Sequence, residues 1–131
     1  MMGTILIIED NEQNLYLTRF LLEQSGFKIE EARSGPEGIV LATRIQPDLI
    51  LLDIQLPLMD GYTVARALRQ NPVLKDVPVV AVTSYAMVGD RERALEAGCN
   101  GYIEKPINPD TFKCEIAKYL RTHPAGGGPQ S

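Results

Sequence analysis

The stretch Leu49–Tyr62, LILLDIQLPLMDGY, decides how the rest of the chain is read. Leu49 to Leu52 are four apolar residues in a row, the pattern of a short strand buried on both faces. The run ends on a carboxylate, Asp53. Burying an ionised carboxylate is costly unless it is paired, hydrogen-bonded or metal-bound. Beyond it QLP turns the chain, and Asp60 is suited to cap a helix that carries Val64 and Leu68 on one face. The unit is therefore strand, turn, helix, with an acid delivered to the carboxyl end of the strand.

The same alternation recurs in both directions. TILIIE, from Thr4, is a β-branched run, followed by NEQNLYLTRFLLEQSGF. There Leu17, Phe20 and Leu21 fall at i, i+3 and i+4, and Gly26 suits a helix C-cap. KIEEA, from Lys28, is more polar and reads as an edge strand; SGPEGIVLATRIQ is helical with Pro36 in its first turn. PVVAVTS, from Pro78, is the fourth strand, VGDRERALEAGC a helix with Gly98 near its end, and GYIE, from Gly101, a short fifth strand. In NPDTFKCEIAKYLRTH, Phe112, Ile116, Tyr119 and Leu120 recur at helical spacing. Alternating units of this kind predict an α/β fold with a five-stranded parallel sheet, helices on both faces and right-handed crossovers. One domain is expected over residues 1–123, and PAGGGPQS (124–131) reads as a flexible tail.

Composition narrows the function classes. A chain of 131 residues fits one domain that needs neither disulfide nor zinc to fold. A formal net charge of -4 argues against nucleic acid or an anionic membrane as the main partner. No apolar run approaches the ~18 residues of a membrane span. The start MMGTILIIED lacks the basic segment of a signal peptide, and its Met-Gly pair is misplaced for myristoylation. Cys99 and Cys114 stand in no metal-ligand spacing and read as reduced thiols of a cytoplasmic protein. His123 is the one histidine, at the edge of the tail, which excludes a Ser-His-Asp triad and a histidine-rich metal site.

In open α/β sheets, ligands bind beyond the carboxyl ends of the strands. There the sequence places Glu9-Asp10, Asp53, Thr83-Ser84 and Lys105-Pro106. Each has an ordinary reading alone: a turn or cap aspartate, acids favouring a helix N-terminus, a strand threonine, a surface lysine. Their convergence on one sheet edge is the signal. Three carboxylates in one crevice repel, and protonation or a cation relieves them. An all-oxygen, partly open site suits Mg²⁺. A cation, a lysine, a hydroxyl and a carboxylate able to act as acceptor are the parts that phosphoryl transfer needs.

IIEDN, LILLDIQLPLMDGY, VVAVTSYA and GYIEKPI, in this order and at these spacings, resemble the receiver (CheY-like) domain of two-component response regulators. The resemblance runs from about Thr4 to Arg121 and is nearest to DivK-type single-domain regulators, through IIEDNEQN, DIQLP and VTSYAMVGDRERALEAGC. It implies strand order 2-1-3-4-5, a flavodoxin-like doubly wound sheet. It implies Asp53 as phosphoacceptor, and a Mg²⁺ site made by Glu9, Asp10, Asp53 and the backbone carbonyl of Gln55, with Asp10 the more direct of the acidic pair. Thr83 and Tyr102 would be the switch residues, Lys105 a phosphoryl contact, and the peptide bond before Pro106 cis. Gln55 and Tyr85 would tune the access of water to the phosphate. The implied partners are a histidine kinase or histidine phosphotransfer protein and a downstream protein. The downstream protein would be bound through the fourth helix, fifth strand and fifth helix, whose shape around Val88 to Leu95 and Tyr102 changes on phosphorylation. Such a protein is a signalling switch and not an enzyme, with self-phosphorylation from phosphodonors and autodephosphorylation expected.

Two other activities are disfavoured by the same residues. A phosphohydrolase with an aspartyl nucleophile requires a second acid two residues on, where this chain has Gln55. A nucleotide or flavin binder requires a phosphate-cradling loop after an early strand, where this chain has EDNEQN. The start methionine and short tail favour a stand-alone regulator over a receiver excised from a hybrid kinase or longer regulator.

Overall fold

In the computed structural model, which describes residues 3–84, 88–105 and 107–122, the five apolar runs become five strands of one parallel sheet. They are β1 (Thr4–Ile8), β2 (Lys28–Ala32), β3 (Leu49–Asp53), β4 (Val79–Thr83) and β5 (Gly101–Glu104), in spatial order β2-β1-β3-β4-β5. The helices are α1 (Glu12–Gln24), α2 (Gly35–Ile45), α3 (Gly61–Gln70), α4 (Asp90–Glu96) and α5 (Pro109–Thr122), with a 3₁₀ turn at Pro72–Leu74. β2, the polar strand, lies at an edge as its composition indicates.

Strand pleating sends alternate side chains to opposite faces. Leu6, Ile8, Ile50, Leu52, Val79 and Ala81 enter a core shared with α2, α3 and α4. Ile5, Ile7, Leu49, Leu51, Val80 and Val82 enter a second core closed by α1 and α5. Continuous apolar strands are thus explained by helices on both faces, the doubly wound arrangement expected. Within α5, Phe112 and Ile116 are fully buried and Tyr119 and Leu120 pack beside them. Asn11, Ser34 and Asp60 cap α1, α2 and α3 by accepting from Asn14, Glu37 and Thr63 N–H, the polar caps that helix N-termini favour.

Helix α1 buries other residues than the triplet whose spacing marks it as helical. Its buried stripe is Leu15, Thr18 and Leu22, whereas Leu17 and Phe20 are exposed and only Leu21 packs at the core edge. Apolar residues surround this helix, so the triplet whose spacing marks it as helical does not mark its buried side. Tyr16 and Phe20 stack on the outer face with ring centroids 6.3 Å apart. A smaller difference concerns α4, which starts at Asp90, because Gly89 at φ 91° occupies its N-cap and Val88 is fully exposed.

Arg69, to which the sequence assigned no role, ties the end of α3 to its neighbours. It donates to the carbonyls of Gly98 (2.8 Å) and Leu74 (3.0 Å) and to Asn100 Oδ1 (2.6 Å). Cys99 and Cys114 are free thiols; Cys99 is buried, which pushes it up to about 11, and Cys114 is exposed. Among the described residues, no helix is long and apolar enough to cross a membrane. The expectations for Tyr85, Pro106, His123 and the tail lie outside the described residues.

Candidate functional site

The parallel register brings the strand ends level. Ile8 pairs with Leu52, Asp53 with Val82, and Thr83 with Glu104. Asp53 is therefore the last residue of a central strand, and Glu9 follows its neighbour, with Glu9 N–H donating to Ala32 O. Lys105 is anchored from the other side: its N–H donates to Thr83 O at 2.7 Å. From there its Nζ lies 3.0 Å from Glu9 Oε1 and 3.6 Å from Asp53 Oδ1. Asp53 and Glu9 are buried at 4% and 5% exposure, while Asp10 is exposed. Oxygens of Glu9, Asp10 and Asp53 lie within 4.8 Å of one another.

These contacts explain how a carboxylate ends an apolar run. Asp53 Oδ1 accepts from Gln55 N–H at 3.0 Å and faces the Lys105 ammonium. The surrounding cleft is open, about 290 Å³, with Asp10, Asn14, Gln55 and Ser84 on its rim. Charge is nevertheless unbalanced, with three carboxylates against one ammonium. Burial, and then the Asp53 charge, push the Glu9 carboxyl up to about 7 against the opposing pull of Lys105. A donor set of hard oxygens, one of them exposed, with excess negative charge fits a divalent cation of the Mg²⁺ kind.

The structure brings Glu9, Asp10, Asp53, Gln55 and Lys105 together. Thr83 is buried at the end of β4, and Ser84 after it lines the cleft. Tyr102 is half-buried on β5, one strand further out, with its register partner Ala81 on β4. Several contributors were not foreseen. The Gln55 side chain accepts from Ser84 N–H at 3.1 Å, tying the loop after β3 to the one after β4. Asn11 N–H donates to Glu9 Oε2 at 3.3 Å. Gly61 N–H closes that first loop on Ile54 O at 2.9 Å, in a space where a Cβ would meet Ile54 Cα at 2.5 Å and Asp53 O at 2.8 Å. The Asp-Gly pair of MDGY was the available signal for this close approach.

A sheet of this order with this acidic edge fits a receiver domain. The chain belongs to the response regulator receiver domain family, whose match spans residues 5–117. It is 46% identical over 120 residues to the polar-differentiation response regulator DivK of Brucella ovis, covering 92% of this chain and 98% of that protein; DivK of Brucella abortus gives the same values. Among solved structures, it is similar to the receiver domain of a sensor histidine kinase from Pseudomonas aeruginosa PAO1, which has a magnesium ion coordinated in its active site cleft. That likeness has a TM-score of 0.84 at 32% identity, over 90% of this chain and 97% of the other. The BeF₃-activated receiver domain of Klebsiella pneumoniae RstA matches with a TM-score of 0.83 at 30% identity, over 90% and 98%.

Proposed function

We propose that this chain is a DivK-like, cytoplasmic single-domain response regulator that takes a phosphoryl group on Asp53, in a Mg²⁺-dependent reaction, from a histidine kinase or histidine phosphotransfer protein. The observation that carries the reading is one geometry: a buried strand-end carboxylate 3.6 Å from a lysine ammonium and clustered with two further acids. An Asp53 oxygen attacks phosphorus, a P–O bond forms, and the P–N bond of the donor phosphohistidine breaks with the electron pair leaving on the imidazole. Lys105 neutralises charge on a phosphoryl oxygen and holds Asp53 in place beforehand. A Mg²⁺ ion held by Glu9, Asp10, Asp53 and the Gln55 carbonyl would supply the remaining positive charge that phosphoryl transfer requires. Gln55, fixed to Ser84, walls the cleft where water must enter for autodephosphorylation.

The new acceptor oxygens at Asp53 draw the Thr83 hydroxyl inward, Tyr102 follows into the vacated space, and the α4-β5-α5 face presents its second shape to a protein partner. This is a shift between two packings of one chain. The test is intact-protein mass spectrometry after incubation with phosphoramidate and Mg²⁺. Wild type gains one acid-labile phosphoryl group and Asp53→Asn gains none; equal labelling of the two removes the assignment.

A further inference from the structure

Helix α4 is lightly fastened. It has seven residues, its N-cap is Gly89 with no side-chain bond, and Ala94 is its only buried residue. Few buried apolar contacts mark a segment with a low cost of local displacement. Its first turn is instead held by a polar cluster on Tyr62, the second residue of α3. The Tyr62 hydroxyl donates to Asp90 Oδ1 at 3.5 Å, and the Arg93 guanidinium lies 4.4 Å from the centre of the Tyr62 ring. Arg93 also pairs with Asp90 at 3.8 Å. The chain following Asp53 is thereby linked to α4 through the start of the next helix.

The Tyr102 hydroxyl is buried, and no described residue gives it a hydrogen-bond partner. The Tyr102 side chain packs against the core that contains Tyr62 and, from α4, Ala94. Burial first and the Asp90 charge second push both tyrosine hydroxyls above their ordinary range, and Tyr62 adds to the effect on Tyr102. We infer that Asp90 is a shared acceptor, bonded by Tyr62 in the resting packing and by Tyr102 when the phosphorylated site draws Thr83 inward, so that Tyr62 and Asp90 are positioning residues of the switch. The inference rests on the receiver reading above and deepens it by naming what holds α4 in each state. A 3.5 Å bond is at the outer limit of hydrogen-bond geometry, so little is lost on breaking it. A buried hydroxyl that gains a carboxylate partner gains more.

The test uses the full chain with its five tyrosines replaced by 3-fluorotyrosine and assigned by single Tyr→Phe variants. ¹⁹F spectra are recorded with Mg²⁺ alone and with Mg²⁺ plus beryllofluoride. In wild type, the Tyr62 and Tyr102 resonances move together on adding beryllofluoride. In Asp90→Ala, Tyr62 starts near its activated position and the Tyr102 displacement falls by about half or more; Asp90→Asn, which keeps an acceptor, restores most of it. Tyr62→Phe takes phosphate from phosphoramidate about threefold faster, the scale of one weak hydrogen bond removed from the resting state. Asp53 labelling with an unmoved Tyr62 resonance overturns this inference and leaves the receiver reading intact. A wild-type chain that takes no phosphoryl group overturns both.

Discussion

Asp53 and Tyr102 pose opposite problems at the scale of a single residue. Asp53 is a buried charge whose contacts are supplied by Gln55 N–H and Lys105. Tyr102 is a buried hydroxyl with none among the described residues. An unmet buried hydroxyl costs about 1–3 kcal/mol. Tyr102→Phe should therefore raise the free energy of unfolding by about 1 kcal/mol, and the melting temperature by about 4 °C in a chain of this size, measured by calorimetry without phosphodonor. An unchanged or lower melting temperature would show that the hydroxyl is satisfied in the resting protein. Asp53 and Lys105 were legible in the sequence because each ends or directly follows a strand that periodicity identifies. The Gln55–Ser84 and Tyr62–Asp90 contacts were not, because each joins groups from separate loops or helices that only the folded sheet brings near.

At the scale of elements, strand identity and helix caps were legible, and helix orientation was not always so. Asp60 announces a helix because its side chain satisfies N–H groups the helix leaves open. In α1, apolar side chains surround the axis, and which side is buried depends on how the helix lies on the sheet. Leu15 and Leu22 face the core, and Leu17 and Phe20 face out. The β3–α3 connection is the tightest constraint near the site, since Gly61 leaves no room for a Cβ against the backbone of Ile54 and Asp53. Gly61→Ala must displace backbone, not a flexible side-chain end. It should destabilise the chain by about 2 kcal/mol and slow phosphorylation of Asp53 by moving its loop. Urea unfolding and phosphoramidate labelling of the variant check both effects. A wild-type urea midpoint would mean that the loop yields without cost.

Across the whole molecule, the alternation of strands and helices was enough to predict a parallel sheet with both faces covered. The strand order came from the family resemblance, since five apolar runs of similar length do not rank themselves. That order decides the electrostatics, because placing β1 next to β3 sets Glu9 and Asp10 beside Asp53. The Glu9 carboxyl is raised in the fold from 4.5 to about 7. A raised carboxylate pKa means that the fold favours the protonated form, so this group's contribution is complete below pH 4.5 and is lost as pH rises through about 7. A bound divalent cation reverses that preference, because it requires the ionised carboxylate. Mg²⁺ at ten times its dissociation constant should add about 1.4 kcal/mol of stability. Measured at one Mg²⁺ concentration by thermal unfolding, the gain should be larger at pH 8 than at pH 6, where Glu9 competes with a proton. Asp10→Ala should remove most of the gain at either pH, while its unfolding without Mg²⁺ should be no easier than wild type, since the substitution removes one of three repelling charges. A gain that is equal at the two pH values, or that survives Asp10→Ala, would place the ion elsewhere than on the strand-end carboxylates.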